Sequence, residues 1–258
     1  MTEFMKQWLL EEQRTFEGWN FDFFEGRVDE DPLPWDYREL VLASMTGDKT
    51  MLDMGTGGGE FLVSLSPPRE RTFATEAYPP NYELCRHKLP AYGIAVSFIE
   101  NDEELPYDSN FFDLVINRHE AYSPQEVQRV LKPGGMFITQ QVGGWNNREL
   151  SSCLLGDEAA KADEEWKLER ASEKLIEAGF TIVQSAEAFP VIRFRDIGAL
   201  VYYAKIIEWE FPGFSVERCY DRLTSLQEKL ERRGYVESME HRFMIVARKL
   251  LRKASQIQ

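Results

Sequence analysis

The run Leu52-Asp53-Met54-Gly55-Thr56-Gly57-Gly58-Gly59-Glu60 decides how this chain of 258 residues folds. Residues 50–54 predict a short buried strand, and residues 60–63 predict the beginning of a helix. Glycine is needed where a backbone turns sharply and where a ligand approaches it with no Cβ in the way. The run therefore predicts a strand, a ligand-binding glycine turn and a helix, although a tight structural turn has the same composition.

The glycine spacing separates this turn from the dinucleotide-binding fingerprint. That fingerprint places its third glycine one residue after Gly59, where this chain has Glu60. A carboxylate beside a pyrophosphate is unfavourable, which argues against a nicotinamide dehydrogenase. Asp53 at the strand end supports the same interpretation, because a carboxylate suits a cationic amino group better than a phosphate.

Strands and helices alternate after the glycine turn. Further strands are predicted at residues 71–75, 94–99, 112–116, 136–142, 180–185 and 243–247. Helices are predicted at residues 79–92 and 123–131, and a long charged helix at 158–178. Because alternation implies parallel pairing with right-handed crossovers, the predicted fold is α/β, with a doubly wound, seven-stranded, mostly parallel sheet.

The chain is predicted to be one domain with added cap segments. Residues 46–188 form the ligand-binding core, 1–45 an N-terminal helical cap, 189–236 a helical insertion, and 237–258 the final strand and tail. Aromatic side chains are concentrated in the two cap segments, at Trp19, Phe21, Phe23, Phe24, Trp35, Tyr202, Tyr203, Trp209 and Phe214. They either pack a cap onto the sheet or line an acceptor pocket.

Composition narrows the class of partner. The net charge of -14 disfavours a nucleic-acid partner, because phosphates bind basic surfaces. The basic cluster Arg248, Lys249, Arg252 and Lys253 is interpreted as a solvated tail. The three cysteines and three histidines are too scattered to predict a disulfide framework or a metal site. With no apolar run of about 20 residues and no signal-peptide pattern, we expect a cytoplasmic protein with no membrane partner.

Polar residues follow the next two strands. Glu76 comes 17 residues after Gly59, and a carboxylate there accepts hydrogen bonds from ribose hydroxyls. Asn101 and Asp102 follow the third strand. They bind an adenine amino group through a side chain, or they hold a turn.

These motifs resemble, in order, those of class I S-adenosylmethionine-dependent methyltransferases. The similarity is carried by Asp53–Gly59, Glu76, residues 101–116 and Val130–Met136, and it is greatest to the type 11 methyltransferases, over about residues 50–142. The resemblance implies that S-adenosyl-L-methionine is the cofactor. It implies cofactor-binding roles for Asp53, Gly55, Thr56, Gly57, Gly59, Glu76, Ala77, Asn101, Asp102 and Asn117.

Within this resemblance, Asp53 and the glycine turn receive the methionine end of the cofactor, and Glu76 receives the ribose. The family usually has Asp at the adenine position. That position aligns with Asn101, so Asp102 is the alternative adenine contact. Residues 16–19, 33–37, 197–203 and 209–214 resemble a bacterial subgroup whose core is similar to ribosomal-RNA guanine methyltransferases. The cysteine-rich zinc module of those enzymes is absent from this sequence.

The predicted chemistry is an in-line displacement, which mainly requires alignment of the acceptor with the methyl group. A general base is needed only where the acceptor loses a proton. The candidates follow the fourth strand, at Asn117, Arg118, His119, Glu120 and Tyr122. His119 is the catalytic candidate because imidazole titrates near neutral pH, and a structural histidine is the alternative. We expect a small-molecule acceptor. An rRNA or tRNA methyltransferase and a catalytically silent S-adenosylmethionine-binding protein remain the alternatives.

Overall fold

The computed structural model describes residues 2–15, 22–159 and 163–251. Trp19 and Phe21, residues 16–19 of the weaker resemblance, and Arg252 and Lys253 of the basic cluster lie outside these ranges. Within the described ranges, the chain contains no helix with the length and apolar character needed to cross a bilayer.

The secondary-structure elements are numbered in chain order. The strands are β1 (Val28–Glu30), β2 (Met51–Met54), β3 (Thr72–Glu76), β4 (Ile94–Phe98), β5 (Phe112–Arg118), β6 (Leu131–Val142), β7 (Phe180–Ala188), β8 (Val191–Phe194), β9 (Val236–Met239) and β10 (Arg242–Lys249). The helices are α1 (Glu3–Glu12), α2 (Tyr37–Ser44), α3 (Glu60–Ser64), α4 (Pro79–Lys88), α5 (Pro124–Val130), α6 (Arg148–Leu155), α7 (Leu168–Glu177), α8 (Ile197–Ile206) and α9 (Tyr220–Arg233).

The chain divides into two compact units. Unit 1 consists of Met1–Leu33, Val142–Glu165 and Ala188–Arg242, and unit 2 consists of Pro34–Gln141, Trp166–Glu187 and Phe243–Gln258. These boundaries differ from the predicted segments. Helix α2, which was assigned to the N-terminal cap, packs in the core of unit 2 through Tyr37 and Val41.

Unit 2 contains the seven-stranded sheet, in the order β4-β3-β2-β5-β6-β10-β7. Strand β2 pairs in parallel with β3 on one side and with β5 on the other. The chain therefore proceeds from β2 outward in both directions, and ligands of such sheets bind at the carboxyl ends of the strands where the direction reverses. The predicted doubly wound α/β fold is confirmed.

The centre of this sheet is covered on both faces. Side chains alternate along a strand, so Leu52 and Met54 join one apolar cluster and Met51 joins the other. All residues of β2 are buried. A strand covered on both faces requires an almost continuous apolar run, which is why 50–54 was recognisable as a strand.

Unit 1 has its own sheet and core. Strand β8 pairs with β1 and β9, antiparallel in both cases. The predicted helical insertion at 189–236 therefore missed strand β8 and the first residue of β9. The ring of Phe24 contacts the rings of Tyr202 and Tyr203 in the apolar core around α8. These side chains support the packing of unit 1.

The predicted long helix over 158–178 is wrong. Helix α7 begins only at Leu168, while Arg148–Leu155 forms α6, which was not predicted. Residues 163–167 are not helical, and residues 160–162 lie outside the described ranges. Trp166 packs against Tyr122 and Phe243, and this tertiary contact overrides the helix propensity of the charged run.

The packing of α7 generates a matched test of the unit 2 core. Leu175 is fully buried in that core, whereas the next residue, Ile176, is 57% exposed. Leu175→Ala should lower the free energy of unfolding by about 2–5 kcal/mol, because it removes buried methyl groups and leaves a cavity. Ile176→Ala should change it by less than about 1 kcal/mol. Denaturant titration measures both, and equal losses would contradict this packing.

Candidate functional site

The glycine turn follows β2 and has left-handed backbone at three positions. The φ angles of Gly55, Gly57 and Gly59 are 65°, 60° and 76°. The Thr56 N–H donates to the carbonyl of Thr75 in β3 at 3.0 Å. The turn is therefore tied to the neighbouring strand before α3 begins at Glu60.

Glu76 joins the end of β3 to this turn. Its Oε2 accepts a hydrogen bond from the Gly57 N–H at 2.7 Å, and its Oε1 accepts one from the Tyr78 N–H at 2.9 Å. Burial raises the pKa of Glu76, against the lowering effect of the backbone N–H groups of Tyr78, Gly57 and Ala77. The predicted ribose-binding carboxylate thus also shapes the glycine turn.

Two side chains of α4 hold carbonyls of the same turn, and no sequence motif marked them. The Cys85 thiol donates to the carbonyl of Gly57 at 3.0 Å, and the Lys88 ammonium donates to the carbonyl of Gly58 at 2.9 Å. Lys88 also pairs with Glu60 at 2.6 Å. The turn is therefore fixed by contacts from β3 and from α4.

Asp53 is a buried carboxyl beside the turn. Burial raises its pKa to about 7, and the Glu76 carboxylate adds to the increase, while Thr56 and Arg118 oppose it. The Arg118 guanidinium lies 4.4 Å from the ring centroid of Phe61 in α3. Asp53 therefore titrates near neutral pH, and a cation placed beside it would favour its ionised form.

The two candidate adenine contacts have different environments. Asn101 is exposed, and its side-chain oxygen accepts a hydrogen bond from the Glu103 N–H at 2.9 Å, so it holds a turn. Oδ1 of Asp102 is buried and has no hydrogen-bond partner among the described residues. Burial raises the pKa of Asp102 to about 6. An unsatisfied buried acceptor is costly unless a ligand donates to it.

Glu120 lies over the first glycine of the turn. A Cβ added at Gly55 would overlap the side-chain carbons and one oxygen of Glu120. Burial raises the pKa of Glu120 to about 7, and the carboxylates of Asp102 and Glu76 increase it further. Sequence reasoning placed Glu120 among the acceptor-side candidates but gave it no part in the cofactor site.

Asp53, Glu76, Asp102 and Glu120 are partly or fully buried carboxyls, which we call the carboxyl cluster. Like-charge interactions join Glu76 to Asp53 and to Glu120, and Glu120 to Asp102. Each has a raised pKa with burial as the largest cause. Burial and like-charge repulsion both disfavour ionisation of these groups. The chemistry of the cluster fits a ligand that carries positive charge and donates hydrogen bonds.

Asn117 and His119 lie at the carboxyl end of β5. Asn117 is fully buried, and its Oδ1 accepts hydrogen bonds from Thr139 and Gln141 at 3.1 and 2.6 Å. Its side chain thus takes part in the packing of the sheet. His119 has a left-handed φ of 62°, and its Nε2 lies 3.0 Å from Nε2 of Gln140.

Residues 52–139 match the family model described as "Methyltransferase domain". This match confirms the resemblance to type 11 methyltransferases over the core of the chain. Among curated proteins, no match to the chain was found.

Solved structures share the fold at low sequence identity. A "putative methyltransferase" from Bacillus halodurans superposes with a TM-score of 0.60 at 17% identity, over 83% of this chain and 99% of that one. The YcgJ protein from Bacillus subtilis gives 0.56 at 17%, over 83% and 98%. The [4+2]-cyclase SpnF gives 0.52 at 18%, over 83% and 80%. Because SpnF is a cyclase, the shared fold alone does not assign a reaction.

The Gly55 geometry predicts the cost of a side chain in the turn. Gly55→Ala should lower the free energy of unfolding by roughly 1–3 kcal/mol, from left-handed strain and overlap with Glu120. Gly47→Ala is the matched control, because a Cβ at Gly47 meets nothing within 4 Å, and it should change stability by less than about 0.5 kcal/mol.

The double variant Gly55→Ala/Glu120→Ala separates the two causes of that loss. Removing the Glu120 side chain relieves the overlap and leaves the backbone strain. Thermal or denaturant unfolding measures each variant. Gly55→Ala should therefore cost less stability in the Glu120→Ala background than in the wild-type protein. Equal costs in the two backgrounds would show that Glu120 does not lie over the turn.

Proposed function

We propose that this chain, whose residues 52–139 match a methyltransferase-domain model, transfers the methyl group of S-adenosyl-L-methionine to a small-molecule acceptor. The observation that carries the proposal is the carboxyl cluster around a left-handed glycine turn. S-adenosylmethionine bears a sulfonium and an ammonium, so it brings to the cluster the positive charge that the cluster favours. When bound, the cofactor supplies a methyl group on a good leaving group.

The residues of the turn fit the parts of this cofactor. Asp53 would accept from the ammonium, and the backbone of Gly55, Thr56, Gly57 and Gly59 would receive the methionine end. Glu76 and the backbone of Ala77 would hold the ribose. Of the two adenine candidates, we propose Asp102, because its buried Oδ1 needs a donor.

The carboxyl end of β5 is the proposed acceptor side. Asn117 would hold the backbone of this edge, and His119 with Glu120 would meet the acceptor beside the cofactor methyl group. Alignment of the two reactants is the main contribution required of these residues, since the reaction is a single displacement.

A small-molecule acceptor is proposed because the chain is acidic and two of its arginines, Arg193 and Arg195, are held in ion pairs. The net charge is -14. Arg193 pairs with Asp31 and Arg195 pairs with Asp29, at 2.6 Å in both cases. These ion pairs therefore connect β8 and the residue after it to β1 and the residue after it, within unit 1. RNA enzymes gain much of their affinity from unpaired Lys and Arg at phosphates.

Cofactor binding should depend on pH with a defined sign. The pKa values of Asp53 and Glu120 lie at about 7, so protons must leave as a cation binds. The affinity for S-adenosylmethionine should therefore increase from pH 5.5 to 8. S-adenosylhomocysteine lacks the sulfonium charge, and its affinity should increase less. Ligand at 100 times its Kd should stabilise the protein by about 2.7 kcal/mol.

Titration calorimetry in buffers of different ionisation enthalpy measures this proton release. Glu120→Gln should reduce the release, and Glu39→Gln, which changes an exposed residue of α2, is the matched control. A thermal shift with nicotinamide dinucleotides and none with S-adenosylmethionine would overturn the proposed cofactor. If the affinities for S-adenosylmethionine and S-adenosylhomocysteine showed the same pH dependence, the sulfonium would not interact with the carboxyl cluster.

The acceptor class is tested by incorporation of a labelled methyl group. Purified protein with methyl-labelled S-adenosylmethionine should label the small-molecule fraction of a cell extract and leave total RNA unlabelled. Glu76→Ala, which removes two hydrogen bonds of the turn, should abolish the labelling. Catalytic labelling of rRNA or tRNA would contradict the small-molecule proposal. Cofactor binding with no incorporation into any fraction would indicate a silent cofactor-binding protein.

A further inference from the structure

A hydrogen-bonded chain of side chains, Trp35–Gln140–His119, leads to the proposed acceptor side. The indole Nε1 of Trp35 donates to Oε1 of Gln140 at 2.8 Å. Nε2 of Gln140 lies 3.0 Å from Nε2 of His119. All three residues belong to unit 2.

The chemistry of the three groups fixes which atom donates at each step. An indole N–H is a donor with no acceptor capacity, so the Gln140 atom that faces Trp35 is the carbonyl oxygen. The amide NH₂ of Gln140 must then face His119. An amide nitrogen only donates, so Nε2 of His119 accepts and carries no proton.

Backbone contacts hold the ring and the amide in register. The His119 N–H donates to the carbonyl of Gln140 at 2.8 Å, and Arg118 is paired with Gln140 between β5 and β6. Gln140 is only 7% exposed. At the start of α2, Tyr37 donates to the carbonyl of Asn117 at 3.0 Å, which anchors the segment that carries Trp35. The chain of donors is therefore fixed at both ends.

We propose that Trp35 and Gln140 are positioning residues that hold His119 as the neutral tautomer with its proton on Nδ1, so that His119 is a hydrogen-bond donor and not the general base of methyl transfer. A base would use the lone pair of Nε2, and Gln140 occupies that lone pair. Protonation of Nε2 would bring two N–H donors face to face. This inference rests on the proposed function, and it narrows the class of acceptor.

The restriction on the acceptor follows from the electron balance of the transfer. A lone pair of the acceptor forms the new bond to carbon, and the electron pair of the broken C–S bond goes to sulfur. The acceptor atom must therefore have its lone pair available without help from His119, as an uncharged nitrogen or an already ionised oxygen or sulfur does. A nitrogen that bears hydrogen becomes cationic, and its proton then goes to Glu120 or to water.

Nitrogen NMR of the histidine rings tests the tautomer without cofactor or acceptor. The chain has three histidines, and the His119 signals are identified by their loss in His119→Asn. At pH 8.5, we expect Nδ1 of His119 to show the shift of a protonated nitrogen and Nε2 that of an unprotonated one.

Gln140→Glu should reverse this result. A carboxylate accepts from both neighbours, so Nε2 of His119 would take the proton and the two nitrogen shifts would exchange. Gln125→Glu adds the same charge at an exposed position of α5, and it should leave the His119 shifts unchanged. A folded Gln140→Glu protein with an unchanged tautomer would overturn the proposal, as would a wild-type ring protonated on Nε2.

Trp35→Phe provides a second, independent variant. Loss of the indole donor frees the Gln140 amide to rotate, so His119 should show a mixture of the two tautomers. Trp166→Phe removes an indole that packs against Tyr122 and Phe243, and it should leave the tautomer of His119 unchanged. If the His119 ring of Trp35→Phe were still protonated only on Nδ1, Trp35 would not control the tautomer. A correct tautomer in a protein that fails to bind S-adenosylmethionine would refute the proposed function alone.

Discussion

The hydrogen bonds of the Glu76 carboxylate are the constraint on which the candidate site depends. One oxygen accepts from the Gly57 N–H and the other from the Tyr78 N–H, so a single buried side chain connects the glycine turn to the end of β3. Hydrogen bonds to charged groups contribute about 1.5–3 kcal/mol. Loss of the carboxylate would also leave buried N–H donors unsatisfied. This residue therefore helps to maintain the left-handed turn.

The Glu76 carboxylate also makes ionisation of its neighbouring carboxyls less favourable in the protein without ligand. Burial raises the pKa values of Asp53 and Glu120 to about 7, and Glu76 adds to both increases. Because folding raises these pKa values, the carboxyls stabilise the fold less as the pH rises toward 7. A cationic ligand would reverse this effect by favouring the ionised forms. The site is therefore electrostatically incomplete without positive charge, and this links its stability to its proposed function.

The sequence predicted the elements whose pattern is local and missed those set by tertiary contacts. Strand β2 was recognisable because both of its faces are buried, and the glycine spacing identified the turn. The short strand β1 has no such pattern. The charged run before α7 was predicted to be helical because its sequence does not indicate that Trp166 packs against Phe243. In the site, Asp53 lies at the end of one predicted strand and Glu76 directly follows the next. The roles of Asp102 and Glu120 depend on burial, which a one-dimensional pattern does not contain.

The register of β5 explains why the proposed acceptor side lies next to the glycine turn. Its residues pair with β2 on one side, where Asn117 lies opposite Met54, and with β6 on the other, where it lies opposite Thr139. The side chain of Asn117 bonds to Thr139 and Gln141, so the strand is fixed up to that point. His119 then adopts a left-handed φ of 62°, a conformation that costs a non-glycine residue about 1–2 kcal/mol and that its backbone bond to Gln140 helps to offset. This bend turns the chain so that Glu120 lies over Gly55. One strained residue thus places the Glu120 carboxylate against the glycine turn, while its own imidazole contacts Gln140.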